Sequence, residues 1–148
     1  MNLRPTTLAA LFVVSVASGP AIGQLPSLDL SAGIHLIRAE VANTFDSRAR
    51  GLMFRKTLGA NSGMLFVFPD VSTHCMWMKN TYVPLSVAFM DEQGTIVSIH
   101  DMQPQNEASH CAAKPARFAL EMNQGWFAQK GIKPGAKIGG IDKAPAPR

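Results

Sequence analysis

The stretch that decides the fold is residues 83–99, VPLSVAFMDEQGTIVSI. In its first half, Val83, Leu85, Val87 and Phe89 alternate with residues of the opposite face, which is the two-residue period of a β-strand. The turn sequence DEQG follows, and the returning stretch is rich in β-branched residues. The pattern therefore predicts a β-hairpin.

Further short strands are predicted on both sides of this hairpin, over residues 34–41, 64–68, 117–122 and 136–141. The second of these, MLFVF, is apolar throughout and is expected to stop at Pro69 and Asp70. Six or seven short strands separated by turn signals predict a mainly β, single-domain fold. It would be a β-sandwich or a jelly-roll-like, partly closed barrel with one or two short helices.

The helices are expected to be very short. Asp46 is placed to cap a helix over residues 47–50, with Leu52 and Met53 turned inward. Residues 126–130 are expected to form one helical turn. Neither segment is long enough to change the fold class.

The N-terminus has the three parts of a secretory signal peptide. Arg4 supplies the charge, residues 8–17 form an apolar core, and small residues precede the expected cleavage after Gly23. An apolar core of about ten residues is too short to span a bilayer. The mature protein is therefore expected to begin near Gln24 and to work in the periplasm or outside the cell.

The chain is expected to divide into four parts. These are a signal peptide (1–23), an extended lead-in (24–33), one β domain (34–142) and a frayed tail (143–148). The formal net charge of +4 falls to about +3 without Arg4, and the basic residues are scattered. Because a nucleic-acid binder needs a basic stripe, that class is excluded. We expect a monomer with no membrane span after cleavage.

The only cysteines are Cys75 and Cys111, and each follows a histidine. In an exported protein an even cysteine count indicates a disulfide first. A soft metal or redox site is the alternative, because thiolate, imidazole and thioether groups suit Cu(I). Two unpaired, buried thiols are a third interpretation. The metal-ligand candidates beside the cysteines are His74, Met76, Met78 and His110.

Three stretches carry more polar chemistry than a plain β core requires: residues 48–55, 76–81 and 120–125. A few polar groups that converge on an apolar wall are typical of small-ligand pockets. The structural alternatives are a turn at Asn80 and Thr81, and an ion pair from Glu121 to Arg50 or Lys79. The ligand-binding candidates are Arg50, Arg55, Trp77, Lys79, Asn80, Thr81, Glu121 and Asn123.

These stretches resemble the signatures of the small prokaryotic family known as domain of unknown function 192. The similarity lies in residues 48–53 (RARGLM), 63–68 (GMLFVF), 77–85 (WMKNTYVPL) and 120–125 (LEMNQG). It implies a compact, mostly β fold that is often exported, and it implies no activity. Many members have an acid directly after Pro-Leu, where this chain has Ser86, so a functional carboxylate at that position is not expected here.

The favoured function is a non-catalytic binding module for a small, anionic ligand or component of the cell envelope, without a cofactor. Copper or redox handling is one alternative. An enzyme of unknown reaction type is another, with an acid or base drawn from Glu121, His74, His100 or His110. None of these four residues lies in a recognised catalytic motif.

Overall fold

A seven-stranded sheet dominates residues 23–148, which are the part of the chain that the computed structural model describes. The predicted signal peptide lies outside the described residues, apart from Gly23. In chain order the strands are β1 (Ser27–Ala32), β2 (His35–Ala42), β3 (Ser62–Ser72), β4 (Cys75–Met76), β5 (Leu85–Met90), β6 (Ile96–Met102), β7 (His110–Cys111), β8 (Ala116–Asn123) and β9 (Ile138–Gly139).

The sheet is mixed, and it curls until its two edges meet. The strand order is β6-β5-β8-β3-β2-β1-β9, with β2 and β3 parallel and every other neighbouring pair antiparallel. Around β9, the N–H groups of Ile96 and Ile138 donate to the carbonyls of Ala136 and Gly94, each at 2.9 Å. The predicted mainly β fold is confirmed, as a partly closed barrel.

The two faces of the sheet bury separate apolar cores. The inner face fills the barrel, and Trp126, Phe127 and Ile141 close one end of it. The outer faces of β3, β5 and β8 lie under Leu52, Met78 and other residues of the covering segments. Covered on both sides, β5 is buried along its whole length, and Ser86 is its one polar residue.

The predicted hairpin forms from β5 and β6, with Leu85 paired to Met102 and Ala88 to Ile99. The strand predicted to stop at Pro69 instead continues to Ser72. Its pairing with β8 breaks register between Val67 and Ser72. An irregularity of this kind accommodates a proline, which has no N–H to donate to a neighbouring strand.

Residues 23–148 contain two short α-helices, α1 (Phe45–Arg50) and α2 (Trp126–Gln129), and a 3-10 helix over Ile141–Lys143. The expectation that Asp46 caps the first helix is wrong, because the cap is Thr44. Its side chain accepts from the Ser47 N–H, and the Ser47 side chain reciprocates at the Thr44 N–H. The cap lies two residues before Asp46, which is in the first turn of the helix, where its charge favours the helix dipole.

Both ends of the described chain form hydrogen bonds that the sequence does not predict. The lead-in contains β1, which pairs with β2 over its whole length. In the tail, the Ala146 carbonyl accepts from the Asn43 side chain at 2.8 Å, and the Arg148 N–H donates to the Asn43 carbonyl. These bonds differ from the frayed tail expected for residues 143–148.

The disulfide prediction is confirmed: Cys75 and Cys111 are bonded at an S–S distance of 1.99 Å. They are directly paired residues of the two-stranded sheet formed by β4 and β7. Within residues 23–148, no helix has the length and apolar character needed to cross a bilayer.

Candidate functional site

The first wall of the site is α1 together with the turn that follows it. Arg50 ends the helix with its side chain in solvent, and it forms no ion pair with any described residue. Gly51 follows with a φ of 48°, and a Cβ atom there would lie 3.2 Å from the Phe66 ring. Glycine therefore lets the chain turn closely over β3 and leaves Arg50 at the rim.

The second wall is the segment between β4 and β5. Trp77 is 47% exposed, whereas Thr81 is buried and its hydroxyl donates to the Lys79 carbonyl at 3.0 Å. Asn80 has a left-handed φ of 52°, and its carbonyl accepts from the Phe54 N–H at 2.8 Å. The backbone of the turn therefore joins the second wall to the segment after α1.

Glu121 forms the floor. It lies on β8 between Met64 of β3 and Val87 of β5, on the face that carries the outer core. Only 3% of the residue is exposed, so its carboxyl lies almost wholly out of solvent. Burial among apolar neighbours raises its pKa from 4.5 to about 8. At neutral pH this carboxyl is therefore protonated and able to donate a hydrogen bond.

These parts enclose a small recess that adjoins a larger groove. The recess has a volume of about 30 Å³, enough for one or two waters or a head group of that size, and Glu121 lies in its lining. The groove outside has a volume of about 600 Å³ and runs along α1 to Gln24 and Leu25. Both are lined by Arg50, Gly51 and Met53, so the recess and the groove adjoin each other at these residues.

Arg55 lies in the groove but is already neutralised. Its guanidinium donates to both carboxylate oxygens of Glu40, at 2.5 and 2.7 Å. The hydrogen bonds from Arg55 lower the pKa of Glu40, and the same bonds raise the pKa of Arg55. This half-buried pair holds the residues after α1 against β2, so Arg55 contributes no free charge to the groove.

Of the eight ligand-binding candidates, the recess brings together Arg50, Trp77, Thr81 and Glu121. Lys79 turns outward, with its ammonium 5.2 Å from the Trp77 ring centre and 3.7 Å from Glu107. The Asn123 amide lies elsewhere and donates to the Leu58 and Gly59 carbonyls. The candidates that do not line the recess are Arg55, Lys79, Asn80 and Asn123.

Glu121 is not the ion-pair partner considered for Arg50 or Lys79, because no described cation lies within 4 Å of it. Arg48 is a recess residue that the candidate set omitted. Its guanidinium donates to the Val67 carbonyl at 3.1 Å and forms no ion pair with a described residue. The sequence could have indicated Arg48 as a recess residue, because it lies two residues before Arg50 in the same basic stretch.

Of the metal-ligand candidates, Met76 and His110 are paired across β4 and β7, whereas His74 and Met78 are held in other contacts. His74 stacks on Phe68 with ring centres 3.7 Å apart, and Met78 is fully buried in the outer core. Met76 lines the recess. His110 lies 6.2 Å from His100 between ring centres, and each of these two rings has one buried nitrogen without a partner. Because the cysteines are bonded to each other, they cannot supply thiolates.

Comparison with known proteins places the chain among uncharacterised relatives. The profile of the family DUF192, "Uncharacterized ACR", matches residues 28–140. A protein of unknown function from Novosphingobium aromaticivorans DSM 12444 has a similar crystal structure, with 35% identity and a TM-score of 0.75. The match covers 84% of this chain and 92% of that one.

A second similar crystal structure, from Sinorhizobium meliloti 1021, is of a protein provisionally named a transcription regulator. It is 35% identical with a TM-score of 0.72, and the match covers 77% of this chain and 92% of that one. No curated protein has significant similarity to the chain. Because the family profile spans most of its length, the chain belongs to the DUF192 family.

Proposed function

We propose that this protein is a non-catalytic binding module for a small anionic ligand of the cell envelope, held between Arg50 and Glu121. The observation that carries the proposal is that the recess and the groove share Arg50, Gly51 and Met53 in their linings. An arginine with no ion-pair partner among the described residues stands at the junction. A ligand in the groove reaches Arg50 first and Glu121 last.

The charges around the site favour an anion. Arg55 is cancelled by Glu40, whereas Arg48 and Arg50 have no carboxylate within 4 Å in the described chain. The remaining acid that lines the recess, Glu121, is protonated at neutral pH because of its burial. The recess and its mouth therefore carry a net positive charge, which attracts an anion and repels a cation.

The protonated Glu121 gives the site a neutral donor where a carboxylate would repel the ligand. A buried carboxylic acid can donate one hydrogen bond to an anionic oxygen, and an arginine can donate two in parallel. Trp77 offers an apolar surface beside them. This combination suits a carboxylate or phosphate oxygen that is attached to a larger body.

The volumes of the two cavities suit a ligand that consists of a head group and a larger body. The recess of about 30 Å³ accepts only the head group, and the groove of about 600 Å³ accepts the body. The groove volume lies within the range of small-molecule pockets, roughly 300–1,000 Å³. A sugar acid or phosphorylated sugar from the envelope has these proportions.

A thermal-shift assay tests the proposal. The probes are inorganic phosphate, glucuronate and glucose 6-phosphate, with glucose as the neutral control, all at equal ionic strength. A ligand at ten times its dissociation constant stabilises the folded state by about 1.4 kcal/mol. We expect at least one anion, and not glucose, to raise the melting temperature by about 3–6 °C.

Variants at two cations make the test specific to the site. Arg50→Ala should abolish the shift, whereas Lys56→Ala, which removes an exposed cation outside the recess, should retain it. The proposal is overturned if none of the anions stabilises the protein, or if Arg50→Ala responds as the wild type does.

A further inference from the structure

A second cavity, of about 360 Å³, lies at the end of the barrel, between the β5–β6 hairpin and the residues that follow α2. It shares no lining residue with the groove or the recess. Its volume also falls in the range of small-molecule pockets, roughly 300–1,000 Å³. The apolar part of its lining includes Ile99, Phe127, Ile132 and Pro134, and the charged part is Asp101 and Lys133.

A buried serine fixes the carboxylate of this cavity. Ser86 and Asp101 are directly paired across β5 and β6, and Ser86 is 1% exposed. The Ser86 hydroxyl donates to Asp101 Oδ1 at 2.5 Å and accepts from the Gly125 N–H at 2.8 Å. Because its one proton is committed to Asp101, the serine holds the carboxylate in place and is not itself a free donor to a ligand.

The other oxygen of Asp101 has no such partner. Among residues 23–148, Asp101 forms no ion pair within 4 Å, and its one side-chain hydrogen bond is the bond to Ser86. A positioned carboxylate beside an apolar wall is complementary to an ammonium group carried on an apolar body. Lys133 lies in the same lining, so a second cationic group on the ligand would be repelled.

We propose that this cavity is a second ligand site, which binds a small primary amine with a single charge and an apolar body. The ammonium group donates to Asp101, and the body packs against Ile99, Phe127 and Ile132. Ser86 is a positioning residue, because it acts through Asp101. This site does not depend on the anion site, which lies on the other face of the sheet.

Calorimetric titration with three ligands of equal chain length tests the proposal. The probes are n-hexylamine, n-hexanol and hexanoate, which have six carbons each and carry a positive, a neutral and a negative head group. We expect hexylamine to bind about tenfold or more tighter than hexanol, a ratio typical of one charge-assisted hydrogen bond. Hexanoate should bind most weakly here.

Asp101→Asn keeps the shape of the side chain and should reduce the preference for the amine to about twofold or less. Ser86→Ala should weaken amine binding by a smaller factor, because the carboxylate remains without its anchor. Glu92→Gln, which removes an exposed acid outside the cavity, should bind hexylamine as the wild type does. Melting temperatures measured for all three variants identify any that fail to fold.

Three results would overturn this site: no binding of hexylamine, equal affinities for amine and alcohol, or an unchanged amine preference in Asp101→Asn. Arg50→Ala separates the two proposals, since it should bind hexylamine normally even though it loses the anion. If the anion assay fails and the amine preference stands, only the first site is wrong.

Discussion

Glu121 is the residue on which the account of the anion site depends most. The sequence identifies it as an acid in an alternating strand, and alternation alone leaves open which face is buried. The structure places it on the outer-core face because segments distant in sequence, the turn after α1 and the β4–β5 connection, cover that face. Its burial could not be predicted from local pattern for this reason.

The stability of the protein should depend on the protonation of Glu121. The folded state holds this proton up to a pH of about 8, and the unfolded state releases it near 4.5. Because the folded state binds more protons in this window, the free energy of unfolding falls as pH rises. The contribution is fully present below about 4.5 and is lost as pH rises through about 8.

Chemical denaturation of the wild type and of Glu121→Gln across this window measures the effect. The difference in the free energy of unfolding between the two proteins should change by up to about 1.4 kcal/mol per pH unit. For Glu92→Gln, at an exposed turn position, the free energy of unfolding should depend on pH in the same way as it does for the wild type. Parallel curves for Glu121→Gln and the wild type would contradict the raised pKa.

Gly63 is a second residue that matters for the floor of the recess. A Cβ atom at this buried position would collide with the carbonyl oxygen of Glu121 and the sulfur of Met122. Because the obstructing oxygen belongs to the backbone of β8, Gly63→Ala should destabilise the protein by about 3 kcal/mol in chemical denaturation.

Gly33→Ala is the matched control, since a Cβ atom there meets nothing within 4 Å. This variant should lose only about 1 kcal/mol in the free energy of unfolding, because Gly33 has a left-handed φ of 59°. If Gly33→Ala lost as much stability as Gly63→Ala, or more, the close approach of β3 to β8 would not be what makes a side chain at Gly63 costly.

At the scale of elements, α1 supports Arg50. The helix has only six residues and buries none of them, so its end caps rather than packing define it. The sequence located this helix within two residues but assigned the cap to Asp46. Thr44 and Asp46 both have side chains that can cap a helix. Thr44 is the cap because Ser47 forms a reciprocal pair of hydrogen bonds with it.

Loss of the Thr44 cap should therefore weaken both the helix and the site. Thr44→Ala should cost about 1 kcal/mol in the free energy of unfolding, measured by chemical denaturation. It should also reduce the thermal shift caused by the anion, since Arg50 ends the helix. Thr57→Ala, at an exposed loop position, should leave both the free energy of unfolding and the thermal shift unchanged. A stable Thr44→Ala variant with normal anion binding would refute this role of α1.

The β4–β7 pair is held by the disulfide, and it carries Met76 and Trp77 to the recess. The pairing of Cys75 with Cys111 was predictable because the chain has two cysteines and an apparent export signal. Closing a loop with a sequence separation of 36 stabilises the fold by about 4 kcal/mol in the chain-entropy model.

Replacing both cysteines with serine should remove this stabilisation. Chemical denaturation should give a loss of about 4 kcal/mol for Cys75→Ser/Cys111→Ser, and the wild type in reducing buffer should match it. A loss under about 1 kcal/mol in both samples would indicate that neighbouring contacts, not the disulfide, hold the pair together.

At the scale of the whole molecule, the sequence predicts the fold class because strand periods and turn residues are local signals. The hairpin of β5 and β6 forms as expected, and so does the helical turn at α2. The parallel pairing of β2 with β3 and the meeting of β9 with the start of β6 are long-range features that no local pattern contains.

The same limit applies to the sites. Of the eight candidates from the three polar stretches, Arg50, Trp77, Thr81 and Glu121 line the recess and the other four lie outside it. The second cavity was missed because its fixed carboxylate depends on the cross-strand register of β5 and β6. Ser86 stands at the position where the resemblance gives many members an acid, and Asp101 supplies a carboxylate from the neighbouring strand.

The most direct test of the central claim is the dissociation constant of the anion that gives the largest thermal shift, measured by calorimetry near pH 6.5 and near pH 9.5. In the wild type we expect affinity to fall by about tenfold or more at the higher pH, because the ionised Glu121 repels the ligand. In Glu121→Gln the constant should change only as far as the ionisation of the ligand itself changes between the two pH values. Equal affinities in the wild type, or an equal loss in Glu121→Gln, would contradict the account.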